Sequence, residues 1–307
     1  MRIAVIMSSY NGEKFIEEQI NSILGQTNVE VGLYIRDDGS SDGTLDILKK
    51  YSQNSNIHLV QFENDTNLGV CYSFLKTLQY AIEQEPNTEY FSFADQDDVW
   101  LPQKLEKAIE KIKSYKNDYV VYYSNKTFVN KTLELINKEK IKFYDDFFEA
   151  YCSSLASGCT MVFNKKMAKL SLTPLPQNAE FHDSWIYRLN KYVHGKIVFD
   201  KNSYILYRQH GNNVCGSATC IVQEKNFKKN VELYKSAKTT WRQSLFDEME
   251  LYHGELACKD AQKYIYLMKN YKKKFSLKLN LLFNKYVIKR GIIFYFNWFI
   301  KVILNKI

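Results

Sequence analysis

The sequence predicts an α/β fold, a mostly parallel sheet flanked by helices and continued by a C-terminal helical extension. Three observations predict it. Five short apolar runs of strand type recur within the first 125 residues, segments of helical period separate them, and polar stretches rich in Asp, Ser and Gly follow three of the runs. Alternating strands and helices give a largely parallel sheet covered on both faces. Such sheets bind ligands beyond the carboxyl ends of their strands.

The elements follow in order. Residues 3–8 form the first strand and run into Ser8-Ser9-Tyr10-Asn11-Gly12. Ile16, Ile20, Ile23 and Leu24 then recur at i, i+4, i+7 and i+8, one face of a helix. Residues 31–36 make a second strand that ends in Arg36-Asp37-Asp38-Gly39-Ser40-Ser41-Asp42-Gly43-Thr44, ahead of a helix over 42–53. A third strand over 57–62 precedes Val70, Phe74, Leu78, Ala81 and Ile82, again at helical spacing. The fourth, 90–94, stops at three carboxylates, Asp95, Asp97 and Asp98. A helix over 102–114 opens with Pro102, a residue suited to a first turn, and 119–123 reads as a fifth strand. Periodicity weakens from 126 to 215, where loops and a few strands are expected, and is helical from 221. A boundary near 218, at Cys215-Gly216-Ser217-Ala218, divides 1–218 from 219–307. Within the first part, 1–125 is the ligand-edge half and 126–218 the other.

The composition narrows the function. With 23 Tyr, 19 Phe and only 4 Pro among 307 residues, neither disorder nor a fibrous repeat fits. The six cysteines (71, 152, 159, 215, 220, 258) form no Cys-x-x-Cys pair and no zinc-like spacing, which predicts reduced thiols and a cytoplasmic setting. The apolar start is too brief for a signal peptide and reads as a strand. Net charge is +8, yet residues 261–307 hold 11 Lys or Arg and no Asp or Glu, while residues 1–260 are net −3. A protein-wide nucleic-acid surface is therefore excluded.

The carboxylate cluster carries the chemistry. Ionised groups crowded at the exit of a buried strand repel one another. A bound divalent cation removes that cost, and oxygen ligands suit Mg²⁺ or Mn²⁺. Such an ion would neutralise a diphosphate. The alternative is a loop whose aspartates cap the helix.

Seven segments in order carry a family resemblance: Ser9-Tyr10-Asn11-Gly12, Asp37 to Thr44, Asn67-Leu68-Gly69, Asp95-Gln96-Asp97-Asp98-Val99-Trp100-Leu101-Pro102, Ser157-Gly158-Cys159-Thr160, His182-Asp183-Ser184-Trp185, and Tyr207-Arg208-Gln209-His210-Gly211-Asn212-Asn213. Over about residues 1–215 the chain resembles a family-2 glycosyltransferase of the GT-A fold, and more narrowly the bacterial rhamnosyltransferase-like enzymes of surface-polysaccharide assembly. The resemblance implies an inverting, metal-dependent transferase that moves a sugar from a nucleoside-diphosphate donor to a saccharide acceptor carried on a polyprenyl lipid. L-rhamnose from dTDP-rhamnose is the first donor it suggests, and a UDP-hexose or UDP-N-acetylhexosamine the alternative.

Carried over residue by residue, the resemblance gives Asp38 the imide N–H of a pyrimidine base, with Ser8 and Tyr10 lining the nucleoside pocket. Asp38 alternatively caps helix 42–53 or forms an Asx-turn with Gly39. Asp97 would coordinate the cation and Asp95 the ribose or a metal-bound water. Asp98 offers a second carboxylate to the metal or to the donor sugar. His210 either completes the metal site or hydrogen-bonds diphosphate or backbone. Arg208 either pairs with phosphate or lies on the surface. Asp183, between Phe181 and Trp185-Ile186, is the implied catalytic base, with the N-cap of a helix over 184–192 as its other use. Ser157 and Gly158 would lie beneath the sugars, the glycine admitting close backbone approach. Trp100 and Trp185 are either sugar platforms or core aromatics. His182 is left without a role.

The tail suggests a place of work. Residues 291–304 are apolar but broken by Asn297 and Lys301, short of the ~20 that span a bilayer. Flanked by Lys272-Lys273-Lys274 and Lys289-Arg290, they suit an anionic membrane surface, hence a peripheral location at the inner face. The alternative is packing on the catalytic domain or a second copy. Two rival functions are a nucleotidyltransferase and a non-enzymatic membrane-binding scaffold. The first would carry a Gly-rich, basic phosphate loop after strand one, where this chain has Ser8 to Gly12.

Overall fold

The computed structural model describes residues 1–62, 66–143, 147–152, 154–211, 240–289 and 291–305. The expected boundary near 218, Asn212-Asn213 of the last segment, and Arg290 lie outside the described residues. The chain divides into two units, Met1–Phe143 with Ser154–His210, and Tyr144–Ser153 with Gly211–Ile307. The first thus closes at His210 rather than near 218. The second takes in the short helix α5 (Phe147–Cys152), because Phe148 packs on Tyr264 and Trp298 with ring centroids 5.1 and 5.2 Å apart.

In the first unit the sheet grows from β1 (Arg2–Ser9), whose Ile3 to Met7 are fully buried. A strand covered on both faces must be apolar on both, and this one is. It pairs in parallel with β2 (Glu30–Asp37) and β4 (Tyr90–Ala94), and β2 with β3 (Ile57–Leu59). Beyond β4 the sheet becomes mixed. Short β8 (Val162–Asn164) runs antiparallel to β4 and to β6 (Val120–Val129), and β9 (Lys196–Arg208) runs parallel to β6. Antiparallel β5 (Val99–Trp100) and β7 (Leu135–Lys138) complete it on β9 and β6. The expectation of a mostly parallel sheet holds for β3-β2-β1-β4; inserting β8 in reverse makes the remainder mixed.

The helices form where the periodicity puts them. α1 (Ile16–Leu24) buries Ile16, Ile20 and Ile23; α2 (Thr44–Tyr51) buries Leu48; α3 (Gly69–Gln84) buries Phe74, Leu78 and Ala81. α4 (Lys104–Ile112) buries Leu105, Ala108, Ile109 and Ile112, an i, i+3, i+4, i+7 stripe. α6 (Lys165–Ser171) and α7 (His182–Tyr192) follow. At the edge away from the strand ends, Glu85 joins three elements: it accepts from Arg2 (2.7 and 2.8 Å), Tyr34 (2.7 Å) and Thr88 (2.7 Å). Burial acts to raise its pKa, but these hydrogen bonds outweigh burial and hold it down to about 2.

The second unit is helical from Thr240: α8 (Thr240–His253), α9 (Lys259–Asn270), α10 (Phe275–Leu282), α11 (Lys285–Lys289) and α12 (Ile292–Ile303). The Trp298 indole N–H donates to the Leu281 carbonyl at 3.0 Å, fastening α12 to α10. Among the described residues, no helix is long and apolar enough to cross a membrane.

Candidate active site

The three strand ends meet at one sheet edge, as the topology requires. The Ser9 hydroxyl donates to Asp37 at 2.9 Å, and the Asn11 and Gly12 N–H groups donate to the Ser40 and Thr44 hydroxyls at 2.9 and 2.8 Å. Gln96 clasps Tyr10, accepting its N–H at 2.9 Å and donating to its carbonyl at 3.0 Å. A Cβ at Gly12 would fall 2.4 Å from the Gln96 amide oxygen, so this clasp needs glycine.

At the nucleoside end Asp38 is buried, ion-paired with Arg36, and accepts the Leu68 and Gly69 N–H groups at 2.8 and 2.9 Å. It therefore anchors the entry to α3. The turn role belongs to Asp37, which accepts from the Gly39 and Ser40 N–H groups at 3.2 and 2.8 Å. Ser8 shares a 2.6 Å hydrogen bond with Ser73, which also receives the Arg36 guanidinium. Tyr10 stands half exposed above this network.

The acid centre lies beyond β4. Ligand atoms of Asp95, Asp98 and Cys159 sit within 4.8 Å of one another. Burial, with repulsion from Asp97 and Asp183, pushes the Asp95 carboxyl up to about 7. Burial, with Asp97 and Asp95, raises Asp98 well above the carboxylate range. Asp98 accepts the Arg208 N–H at 3.1 Å, while its second oxygen is buried with no hydrogen-bond partner. Asp97 pairs instead with His210, 2.6 Å from Nε2. Four of the residues expected at the metal or donor thus fall in two groups: Asp95 with Asp98, and Asp97 with His210.

These donors fit a hard divalent cation. The orphaned Asp98 oxygen, the crowded carboxylates and an imidazole make a set for Mn²⁺ or Mg²⁺. Cys159 adds no thiolate. Burial and the neighbouring carboxylates raise its thiol well above the usual range, so it stays protonated, a hydrogen-bonded neighbour of Asp95.

Arg208 is buried, so the surface alternative does not hold. Its guanidinium donates to the Asp97 carbonyl (2.8 Å), the Lys131 carbonyl (2.6 Å) and Glu18 (2.5 Å), and it lies over the Phe15 ring. With its donors committed to protein, it positions the Asp97–Asp98 turn. One cation within the field of the acids is Lys126, which the sequence pattern does not mark. Its ammonium donates to Ser157 at 2.6 Å and lies 3.6 Å from Glu139. Burial works against its charge, but Cys159, Glu139, Asp98 and Asp95 together raise its pKa. Nothing local marks it: Lys126 sits mid-strand in the weakly periodic region.

Asp183 lies in the first turn of α7, accepts the Gly158 N–H at 2.9 Å, and shares the field of Asp95. Gly158 does not open backbone to a ligand. A Cβ there would lie 2.6 Å from His182 Nε2. His182 is buried, stacked on Phe74 at 3.8 Å and edge-on to Phe93 at 4.5 Å, with neither ring nitrogen hydrogen-bonded. Burial pushes it down to about 4, so the ring is neutral. Both tryptophans are core rather than platforms. Trp185 is 1% exposed and donates to the Ser171 carbonyl at 2.8 Å; Trp100 is 2% exposed, beneath the buried Lys104 ammonium at 3.5 Å.

A class follows from this geometry: a parallel sheet edge whose loops gather carboxylates suited to a divalent cation, with one further carboxylate nearby. The family model for glycosyl transferase family 2 matches residues 4–170. The chain belongs to that family and is a glycosyltransferase of the GT-A fold. The dTDP-rhamnosyl transferase RfbG of Shigella flexneri is 30% identical over 226 residues, 69% of this chain and 74% of that protein. The UDP-Glc:alpha-D-GlcNAc-diphosphoundecaprenol beta-1,3-glucosyltransferase WfgD of Escherichia coli is 33% identical over 128 residues, 42% of this chain and 47% of that protein. In fold, the chain is similar to S. aureus TarS 1-349 in complex with UDP-GlcNAc, with a TM-score of 0.56 at 16% identity, over 98% of this chain and 90% of that one.

Proposed function

We propose that this glycosyltransferase is inverting and dependent on a divalent cation. It transfers L-rhamnose from dTDP-rhamnose to a polyprenyl-linked saccharide in cell-surface polysaccharide synthesis, at the inner membrane face. One observation carries the mechanism: Asp183 and the Asp95–Asp98 cluster converge on one sheet edge, close enough for Asp183 to raise the Asp95 pKa. Asp38, held by Arg36 and the amides opening α3, would offer a remaining lone pair to the base, with Ser8 and Tyr10 lining the nucleoside pocket. Asp95, Asp97, Asp98 and His210 would hold Mn²⁺ or Mg²⁺, which supplies charge stabilisation to the departing diphosphate. Asp183 takes the proton from an acceptor hydroxyl as that oxygen attacks the anomeric carbon opposite the diphosphate. A single displacement inverts the anomeric centre, and no carboxylate nucleophile is required.

The name of the Shigella relative supports the rhamnosyl donor, and the lipid diphosphate in the name of the E. coli relative supports the acceptor class. A UDP-hexose donor is the second reading, favoured by that same E. coli name. Purified protein offered a panel of sugar nucleotides with Mn²⁺, scored for nucleoside diphosphate release, distinguishes the two. In the donor it selects, Asp183→Asn and Asp97→Ala should each lower transfer on the order of a hundredfold or more, with melting temperatures retained. Turnover like the parent's in Asp183→Asn would remove the assigned base.

A further inference from the structure

We infer that α10 and α12 form a docking surface for an anionic phospholipid membrane, lying on it rather than crossing it. On α12, Ile292, Phe296, Phe299 and Ile303 are 71%, 51%, 38% and 46% exposed. Their spacing of i, i+4, i+7 and i+11 confines them to an arc of about 60°. The other side of the helix is closed: Asn297, Trp298, Ile300 and Val302 are buried, and the Trp298 N–H is taken by Leu281. A second stripe, Phe275, Leu279 and Phe283 (71%, 37% and 68% exposed), runs along α10. Scattered exposed apolar residues are ordinary, but large ones ordered along helix faces mark an interaction surface.

Charge selects the occupant. Residues 261–307 carry 11 Lys or Arg and no carboxylate side chain. Lys272, Lys273 and Lys274 are exposed just before the α10 stripe, and Lys285 and Lys289 between the two. Aromatic and aliphatic rows bordered by cations alone match lipid headgroups over acyl chains. A second copy of this segment would bring like charges together. Twelve residues of α12 extend only about 18 Å, which suits a helix lying in the interface plane. The inference deepens the lipid-linked acceptor reading, on which it rests only for what is reached at that surface.

The test uses the full chain and vesicles, with no donor or acceptor. The protein should sediment with phosphatidylglycerol-containing vesicles, not with pure phosphatidylcholine, and be released by raising salt well above about 0.1 M. Phe296→Asp with Phe299→Asp, and separately Lys272→Glu with Lys273→Glu and Lys274→Glu, should each weaken binding roughly tenfold or more. Both sets alter exposed positions, and melting curves check their folding; should the first set unfold, the second and the salt series decide. Equal binding to neutral vesicles, no binding, or parental binding in the variants overturns the inference. So does a dimer, seen by sedimentation velocity, that the Phe pair dissolves without changing vesicle binding. Failure to turn over any sugar nucleotide would instead strike the transfer reading and leave this surface standing.

Discussion

At the scale of single residues, Gly158 shows how the site is held. Its N–H fixes Asp183, and its missing Cβ makes room for a neutral histidine clamped between Phe74 and Phe93. Gly158→Ala must displace His182, which adjoins Asp183. We expect a cost of about 2 kcal/mol in urea unfolding, typical of overpacking, and a loss of turnover on the order of a hundredfold from a misplaced base. Asp95 gives a second expectation. A carboxyl raised to about 7 binds its proton more tightly in the folded state than in the unfolded chain. The resulting stability is present below the ordinary carboxylate range and is lost as pH rises through about 7. A bound cation would offset that loss. Mn²⁺ should therefore raise the melting temperature well above pH 7 and change it little well below, EDTA should reverse the gain, and Asp98→Asn should shrink it. A gain independent of pH would contradict the arrangement. Asp95, Asp97 and Asp98 could be singled out in the sequence because they crowd at the end of a strand-like run, and Asp183 because His182-Asp183-Ser184-Trp185 matches a family segment. Lys126, and the part His182 plays, were not, since each acquires its meaning from groups 13 to 108 residues away.

At the scale of elements, the legible features were those with a period. β1, β2, β4, α1, α3 and α4 each announce themselves by apolar spacing, and their ligand edge follows from topology. Strands β8 and β9 were hidden because a three-residue strand has no readable period and β9 mixes polar with apolar positions. Between elements, a single side chain can decide. Asp38 at the end of β2 binds both the buried Arg36 and the amides opening α3. Asp38→Ala would strand a buried guanidinium and orphan two N–H groups, a loss of about 3 kcal/mol or more. Urea unfolding measures it, and protease susceptibility around 66–69 should rise. Unchanged stability would mean that the ion pair contributes nothing.

At the scale of the molecule, composition and charge suggest a division into two parts, and packing groups the chain into two units of its own. The sequence reading set it near 218 from a glycine-containing break, whereas the first unit closes at His210, and Tyr144–Ser153 falls in with the second because Phe148 is needed there. A contact between distant segments leaves no local trace. Global unfolding in acid should report Glu85. Its carboxyl, held down to about 2 against an ordinary 4.5, gives stability that is present above 4.5 and lost as pH falls towards 2. Urea midpoints over that range should drop steeply in the parent and less so in Glu85→Gln, which should already be weaker at neutral pH. Parallel slopes would assign acid sensitivity elsewhere.

The protonated Cys159 has a practical consequence. A thiol that is 1% exposed, and held from ionising by the carboxylates around it, offers almost no thiolate to an electrophile near neutrality. Maleimides and mild peroxide should pass the carboxylate cluster by, so catalysis need not depend on added reductant. Cys71 is shielded in the same way, its pKa pushed up to about 12, chiefly by burial. Among the described residues, the half-buried Cys258, at the start of α9, is the most accessible of the three free cysteines. A fluorophore attached there would report whether the helical unit settles on a bilayer.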